Sequence, residues 1–143
     1  MIWLLRHGDA ADGSPDAERP LTDKGKRQSR NAGLALKTLG VELEACFASP
    51  KTRARETADL CCKELGVEVS IEDALQGGPF DAHELVGDLD SVLLVGHDPD
   101  FSMAVHSLTG AQVRMKKGGL AAVSKGELIV LLRPAELEAI AAG

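Results

Sequence analysis

Ile2-Trp3-Leu4-Leu5-Arg6-His7-Gly8 decides how this chain is read. Four consecutive apolar residues do not alternate, so they describe a strand buried on both faces, the kind found in parallel sheets covered by helices. The run stops at a guanidinium and an imidazole, with a glycine to open the turn. Outward from there, the same device recurs twice. Glu44–Ala48 reads as a short strand that delivers Ser49-Pro50-Lys51-Thr52-Arg53, and Ser91–Val95 reads as a buried strand that delivers Gly96-His97. Ligands of open α/β sheets bind beyond the carboxyl ends of the strands. Arg6, His7, Arg53 and His97 therefore fall where chemistry is expected.

The segments between these strands carry helical spacing. Thr22 is a capping residue for a helix whose Ala32, Leu36 and Leu39 recur on one face before Gly40 stops it. Ser49 reads as the next N-cap, with Pro50 at the first helical position and Ala54, Ala58, Cys61 and Leu65 inward until Gly66. Val67–Ile71 is a further strand. Glu72–Asp90 is irregular, broken by Gly77-Gly78-Pro79, with a short helix around Ala82–Val86. Asp98-Pro99 opens a helix with Phe101, Val105 and Leu108 inward. Leu120–Ser124 and Ile129–Leu132 flank Lys125-Gly126 as a hairpin, and Ala135–Ala142 reads as a final short helix. With no linker and no repeat, residues 1–143 are expected to form a single domain. Its fold class is α/β: a three-layer α/β/α sandwich with a mostly parallel central sheet and antiparallel strands added by the hairpin.

Composition narrows the function. Apolar residues at 44% and charged residues at 27% fit a soluble globular protein. One Trp, three Phe and no Tyr leave little aromatic surface on which bases could stack, and a net charge of -6 opposes nucleic-acid binding. The three cysteines are odd in number and lack zinc-like spacing, so Cys46, Cys61 and Cys62 read as reduced thiols of a cytoplasmic protein. Cys46 and Cys61 are expected inside, Cys62 less so. No leader pattern and no membrane-length apolar stretch appears, so no membrane contact is expected.

Arg6, Arg19 and Arg53 can each present a planar fork to phosphate oxygens and remain charged at every useful pH. Arg53 falls in the first turn of a helix, an unfavourable place for a cation unless an anion shares the site. His7 could attack phosphorus through a neutral ring nitrogen while its other nitrogen donates to a backbone carbonyl. His97 could donate to a phosphoryl oxygen. His83 and His106 lack a strand-end context and read as surface or packing residues. Asp9 and Asp98 follow the two histidines closely, yet the crowding arginines oppose a divalent ion. No metal and no cofactor is expected.

The pattern resembles the histidine phosphatase superfamily, also called phosphoglycerate-mutase-like, and within it the small phosphohistidine phosphatases of the SixA type. The resemblance rests on Leu5-Arg6-His7-Gly8-Asp9-Ala10, on Arg19-Pro20-Leu21-Thr22-Asp23-Lys24-Gly25, on Ser49-Pro50-Lys51-Thr52-Arg53-Ala54-Arg55-Glu56-Thr57, and on Gly96-His97-Asp98-Pro99, in family order. It implies that His7 is the nucleophile, that His97 is the second pocket histidine, and that Arg6, Arg19, Arg53 and His97 bind the phosphoryl group without a metal. It further implies a role in signal transduction, with a histidine-phosphorylated protein such as a phosphotransfer domain as partner. Larger members use an acid to protonate the leaving oxygen. Here Glu72, Asp73, Asp81 and Glu84 lie in the corresponding region without a persuasive motif, and Asp9 is either a helper or a turn residue. A small-molecule phosphomonoesterase and a non-catalytic phosphoprotein-binding module are the alternative readings.

Overall fold

Ile2–Arg6 forms strand β1, with Ile2 through Leu5 buried on both faces of the sheet. The computed structural model describes residues 1–143. β1 is followed by α1 (Asp23–Thr38), β2 (Ala45–Ala48), α2 (Thr52–Leu65), β3 (Val69–Ile71), α3 (Ala82–Val86) and β4 (Val92–Gly96). α4 (Asp100–Thr109), β5 (Leu120–Ser124), β6 (Glu127–Leu132) and α5 (Pro134–Ala142) complete the chain. The strands form one sheet in the order β3-β2-β4-β1-β5-β6. β3, β2, β4 and β1 pair in parallel, and the β5 ladders are antiparallel on both sides. Only β5 runs against the rest.

Two cores follow from strand alternation. Trp3, Leu5, Leu93 and Val95 point to one face, where they meet Ala32 and Leu36 of α1, Ala58 and Cys61 of α2, and Leu137 of α5. Ile2, Leu4, Val92 and Leu94 point to the other and meet Val86 of α3 and Phe101 and Val105 of α4. That is the expected three-layer sandwich. Cys62 is as buried as Cys46 and Cys61, which corrects its expected partial exposure. α2 is turned so that Cys62 also packs into the first core. No helix is long and apolar enough to cross a membrane.

Element ends agree with the local chemistry in most places. Thr22 Oγ1 accepts from Gly25 N–H and so caps α1. Gly66 closes α2 in the left-handed region at φ 67°, where glycine carries no Cβ penalty. Lys125 (φ 50°) and Gly126 (φ 76°) form the tight hairpin turn, both with positive φ. Two helix starts differ from expectation. α2 begins at Thr52 with Lys51 as its N-cap, and α4 begins at Asp100, where Asp98 Oδ1 accepts from Ser102 N–H at 2.9 Å.

Candidate active site

Parallel register brings three strand ends side by side. Arg6 of β1 lies opposite Gly96 of β4, and His7 N–H donates to the Gly96 carbonyl at 3.0 Å. Ala48 of β2 lies opposite Val95, and Ser49 N–H donates to the Val95 carbonyl at 3.0 Å. His7, His97 and Ser49 thus leave adjacent strands at one edge. The two imidazoles sit with ring centroids 5.2 Å apart at 57°. Six polar or charged side chains are buried in the molecule, and five of them, His7, Ser49, Arg53, Thr57 and His97, belong here. Burying polar groups is costly unless they are partnered, so such a concentration marks a site rather than a core.

The partners define each group. His7 Nδ1 lies 2.7 Å from the Gly8 carbonyl, which can only accept. The proton of the neutral ring is therefore on Nδ1, and Nε2 carries the lone pair. Gly8 N–H donates to Thr57 Oγ1 at 3.1 Å, and that hydroxyl donates to the Arg53 carbonyl at 2.7 Å, tying the loop after β1 to α2. A Cβ on Gly8 would come within 2.6 Å of the Gly25 carbonyl oxygen, so the loop needs glycine to lie against α1. His97 Nε2 meets Ser49 Oγ at 2.8 Å, and the same oxygen accepts from Lys51 N–H at 3.2 Å. Ser49 is a partner of the second histidine, not the cap of α2.

Arg6 donates through Nη1 to the Met115 carbonyl at 2.8 Å. Its Nε and His97 Nδ1 are the buried side-chain nitrogens that have no partner in the protein. Unsatisfied buried donors are rare and call for a reason. Both stand at the same site.

Burial holds the His7 pKa down to about 4, with the nearby charges of Arg53, Arg6 and Lys117 adding to the effect and the Gly8 hydrogen bond opposing it. Burial likewise lowers His97 to about 3, assisted by His7, Arg53 and Lys51. Both imidazoles are neutral at physiological pH. Lys51 and Lys117 were not singled out in the sequence; Lys51 lay within a quoted block but carries an ordinary helix-start context.

Asp16 was also missed. Arg53 donates to its carbonyl at 2.8 Å and to Oδ2 at 3.2 Å, Arg19 donates to Oδ1 at 3.0 Å, and Lys51 Nζ lies 3.8 Å away. Hydrogen bonds from Arg19 and Arg53 hold its carboxyl below the usual carboxylate range. Asp16 is the anion that makes a cation tolerable in the first turn of α2. Arg19 is joined to Arg53 through this carboxylate and also donates through Nε to the Ala11 carbonyl at 2.8 Å. Nothing in the sequence signals it, because an aspartate in a Gly/Pro loop is ordinary turn composition.

The remaining acids have other work. Asp9 accepts from Thr22 Oγ1 at 2.8 Å and faces Lys117 Nζ at 3.8 Å. Asp81 caps α3 by accepting from Glu84 N–H at 3.1 Å, and Asp98 accepts from Ser102. Asp73 and Glu84 are exposed, as are His83 and His106. No three His, Cys, Asp or Glu side chains gather in a way that could hold a metal ion. Two hollows of about 430 Å³ flank α4, one lined by Phe80 and His83, the other by Met103 and His106, and neither touches His7 or His97. Volume and chemistry disagree on the site's location. Converging buried polar groups weigh more than an open surface hollow.

Known proteins resemble this chain in sequence and in fold. Residues 2–86 match the family described as histidine phosphatase superfamily (branch 1). An uncharacterized protein of Picosynechococcus is 32% identical over 141 residues, covering 87% of this chain and 85% of that protein. The solved structure of the protein histidine phosphatase SixA complexed with tungstate superposes with a TM-score of 0.83 at 26% identity, covering 95% of this chain and 98% of that one. The alpha-ribazole phosphatase from Shigella flexneri shares the fold with a TM-score of 0.71 at 19% identity, covering 93% and 96%. Family match and fold agree: this chain belongs to the histidine phosphatase superfamily, as a SixA-type phosphatase.

Proposed function

We propose that this chain hydrolyses phosphohistidine on a protein through a covalent phosphoenzyme at His7. One observation carries the reading: Gly8 fixes the His7 proton on Nδ1, which leaves Nε2 as a neutral nucleophile beside Arg6 Nε and His97 Nδ1, two buried nitrogens without protein partners. Nε2 attacks phosphorus, forming an N–P bond as the bond to the substrate nitrogen breaks. The departing imidazole leaves with the proton it already carries. Arg6, Arg53 and His97 stabilise charge on the phosphoryl oxygens during transfer, and Arg19 supports Arg53 through Asp16. With Ser49 Oγ–H donating to His97 Nε2, the His97 Nδ1–H is available to a phosphoryl oxygen. Water then attacks phosphorus, the bond to Nε2 breaks, and inorganic phosphate leaves.

The leaving atom decides the substrate class. An ester oxygen needs a proton from the enzyme. Asp16 is held ionised by its cations, Asp81 caps α3, and Asp98 accepts from the Ser102 backbone and hydroxyl. A protonated phosphohistidine needs no such donor, and this favours nitrogen over oxygen. Likeness to the tungstate-bound SixA structure supports the same choice.

The test compares hydrolysis of a histidine-phosphorylated protein with that of simple phosphomonoesters. A clear preference for the phosphohistidine protein is expected, together with acid-labile phosphate trapped on His7 in a rapid quench. His7→Ala should abolish turnover while retaining phosphate affinity. Faster ester hydrolysis would move the assignment to a small-molecule phosphomonoesterase. Binding without turnover by the unmodified protein would make it a phosphoprotein-binding module.

A further inference from the structure

Charge is distributed unevenly along this acidic chain. From Glu64 to Val113 there are many carboxylates and neither lysine nor arginine; then Arg114, Lys116 and Lys117 occur within four residues. The antiparallel course of β5 brings that segment to the edge of the sheet that carries His7, since β5 starts where β1 ends. Gly118 N–H donates to the carbonyls of Arg6 at 3.1 Å and His7 at 2.9 Å, which fixes the basic segment against the nucleophile's own backbone.

A second element extends this surface. Gln28 of α1 accepts from Asp9 N–H at 2.9 Å and packs so closely on Gly118 that an added Cβ there would lie 3.1 Å from the Gln28 side chain. Lys24 is one helical turn from Gln28 on the same face, and Arg27 is its neighbour. Lys24 and Arg27 line a shallow hollow with Gln28, Asn31 and Glu138. Lys24, Arg27, Arg114 and Lys116 are all exposed, and none lies within 4.0 Å of a carboxylate oxygen. Lys117 differs, because it faces Asp9 and contributes to the field on His7.

We infer that Lys24, Arg27, Arg114 and Lys116 form a docking shelf for an acidic protein surface around the phosphorylated side chain. The inference rests on the phosphoprotein reading above and names the chemistry of its partner. Unpaired surface cations next to a reactive pocket steer an oppositely charged partner and fix its orientation. The acidic remainder of the molecule repels such a partner elsewhere, so approach is restricted to this side. A net charge of -6 and the shortage of aromatic side chains favour an acidic protein over nucleic acid.

Two synthetic phosphohistidine peptides, one flanked by Asp and Glu and one by Ser and Ala, provide the test. At low ionic strength kcat/KM for the acidic peptide should exceed that for the neutral one by about tenfold, mainly through KM, with the difference lost at high salt. Arg114→Glu with Lys116→Glu should erase or invert the preference while free phosphohistidine is hydrolysed at the unmodified rate. Lys24→Glu with Arg27→Glu should do the same independently. Equal kcat/KM for the two peptides, or a preference that survives both charge reversals, overturns the shelf and leaves the phosphohistidine reading intact. Hydrolysis of simple esters with neither peptide accepted overturns both.

Discussion

His7 and His97 remain neutral far below the pH at which an ordinary imidazole takes up its proton, and the consequences can be signed. In the unfolded chain both would protonate near pH 6.5, whereas in the folded protein they do so near 4 and 3. The unfolded state therefore binds more protons as pH falls below about 6.5, so stability declines with acidification until the folded-state values are passed. His97→Asn should weaken that dependence, measured as a flatter plot of the denaturation midpoint against pH between 4 and 6.5. The same displacement keeps Nε2 of His7 unprotonated, so the acid limb of kcat/KM should lie below pH 5.5 for a substrate that does not itself titrate there. A limb at the ordinary imidazole value would show that His7 is solvated during turnover. At this scale the sequence exposed the residues that end strands and hid those that reach them from afar. His7 and His97 were legible because each interrupts an apolar run. Ser49 was legible as a helix cap, and its actual partner lies 48 residues away. Asp16 was hidden for the same reason. Replacing it with Ala should lower kcat/KM roughly tenfold through misplacement of Arg53, and Asp16→Glu should recover little of that loss, because the geometry depends on a short side chain beside its own carbonyl.

Helix contacts decide how rigidly these residues are held. α1 crosses α2 at Gly33, where an added Cβ would overlap the Cys61 carbonyl oxygen. α2 carries Arg53 and Thr57, so its distance from α1 sets where both lie relative to the loop of His7. Gly33→Ala should cost about 1–3 kcal/mol through overpacking. The expected result is a lowered melting temperature together with a reduced kcat, since separation of the helices moves Arg53 from the histidines. Loss of stability with unchanged kcat would show that α2 is positioned by the sheet alone. The helical periods of α1 and α2 and the stops at Gly40 and Gly66 are legible in the sequence. It could not show that Gly33 is a contact point, because a glycine inside a periodic helix signals only low propensity. Helix crossing is a property of two surfaces.

For the whole molecule, the decisive feature is a concentration of positive charge at one edge of a chain whose net charge is -6. Arg6, Arg53, Lys51 and Lys117 surround two neutral imidazoles, and Asp16 compensates only part of that charge. A bound oxyanion would relieve the repulsion among these cations and supply the acceptors that Arg6 Nε and His97 Nδ1 lack. Such a ligand binds the folded state alone, so at a hundred times its dissociation constant it should stabilise the protein by about 2.7 kcal/mol. For a domain of this size that corresponds to a rise of roughly 8 °C in melting temperature. Tungstate or phosphate titration followed by thermal denaturation measures it. The shift should persist in EDTA, because the site consists of guanidinium and imidazole groups and presents no cluster of metal ligands. His7→Ala should retain most of the shift, since Arg6 and Arg53 hold the oxygens, whereas Arg53→Ala should lose most of it. Equal loss in both variants would mean that His7 carries as much of the anion as Arg53, and retention of the shift in Arg53→Ala with its loss in His7→Ala would mean that the histidine carries it.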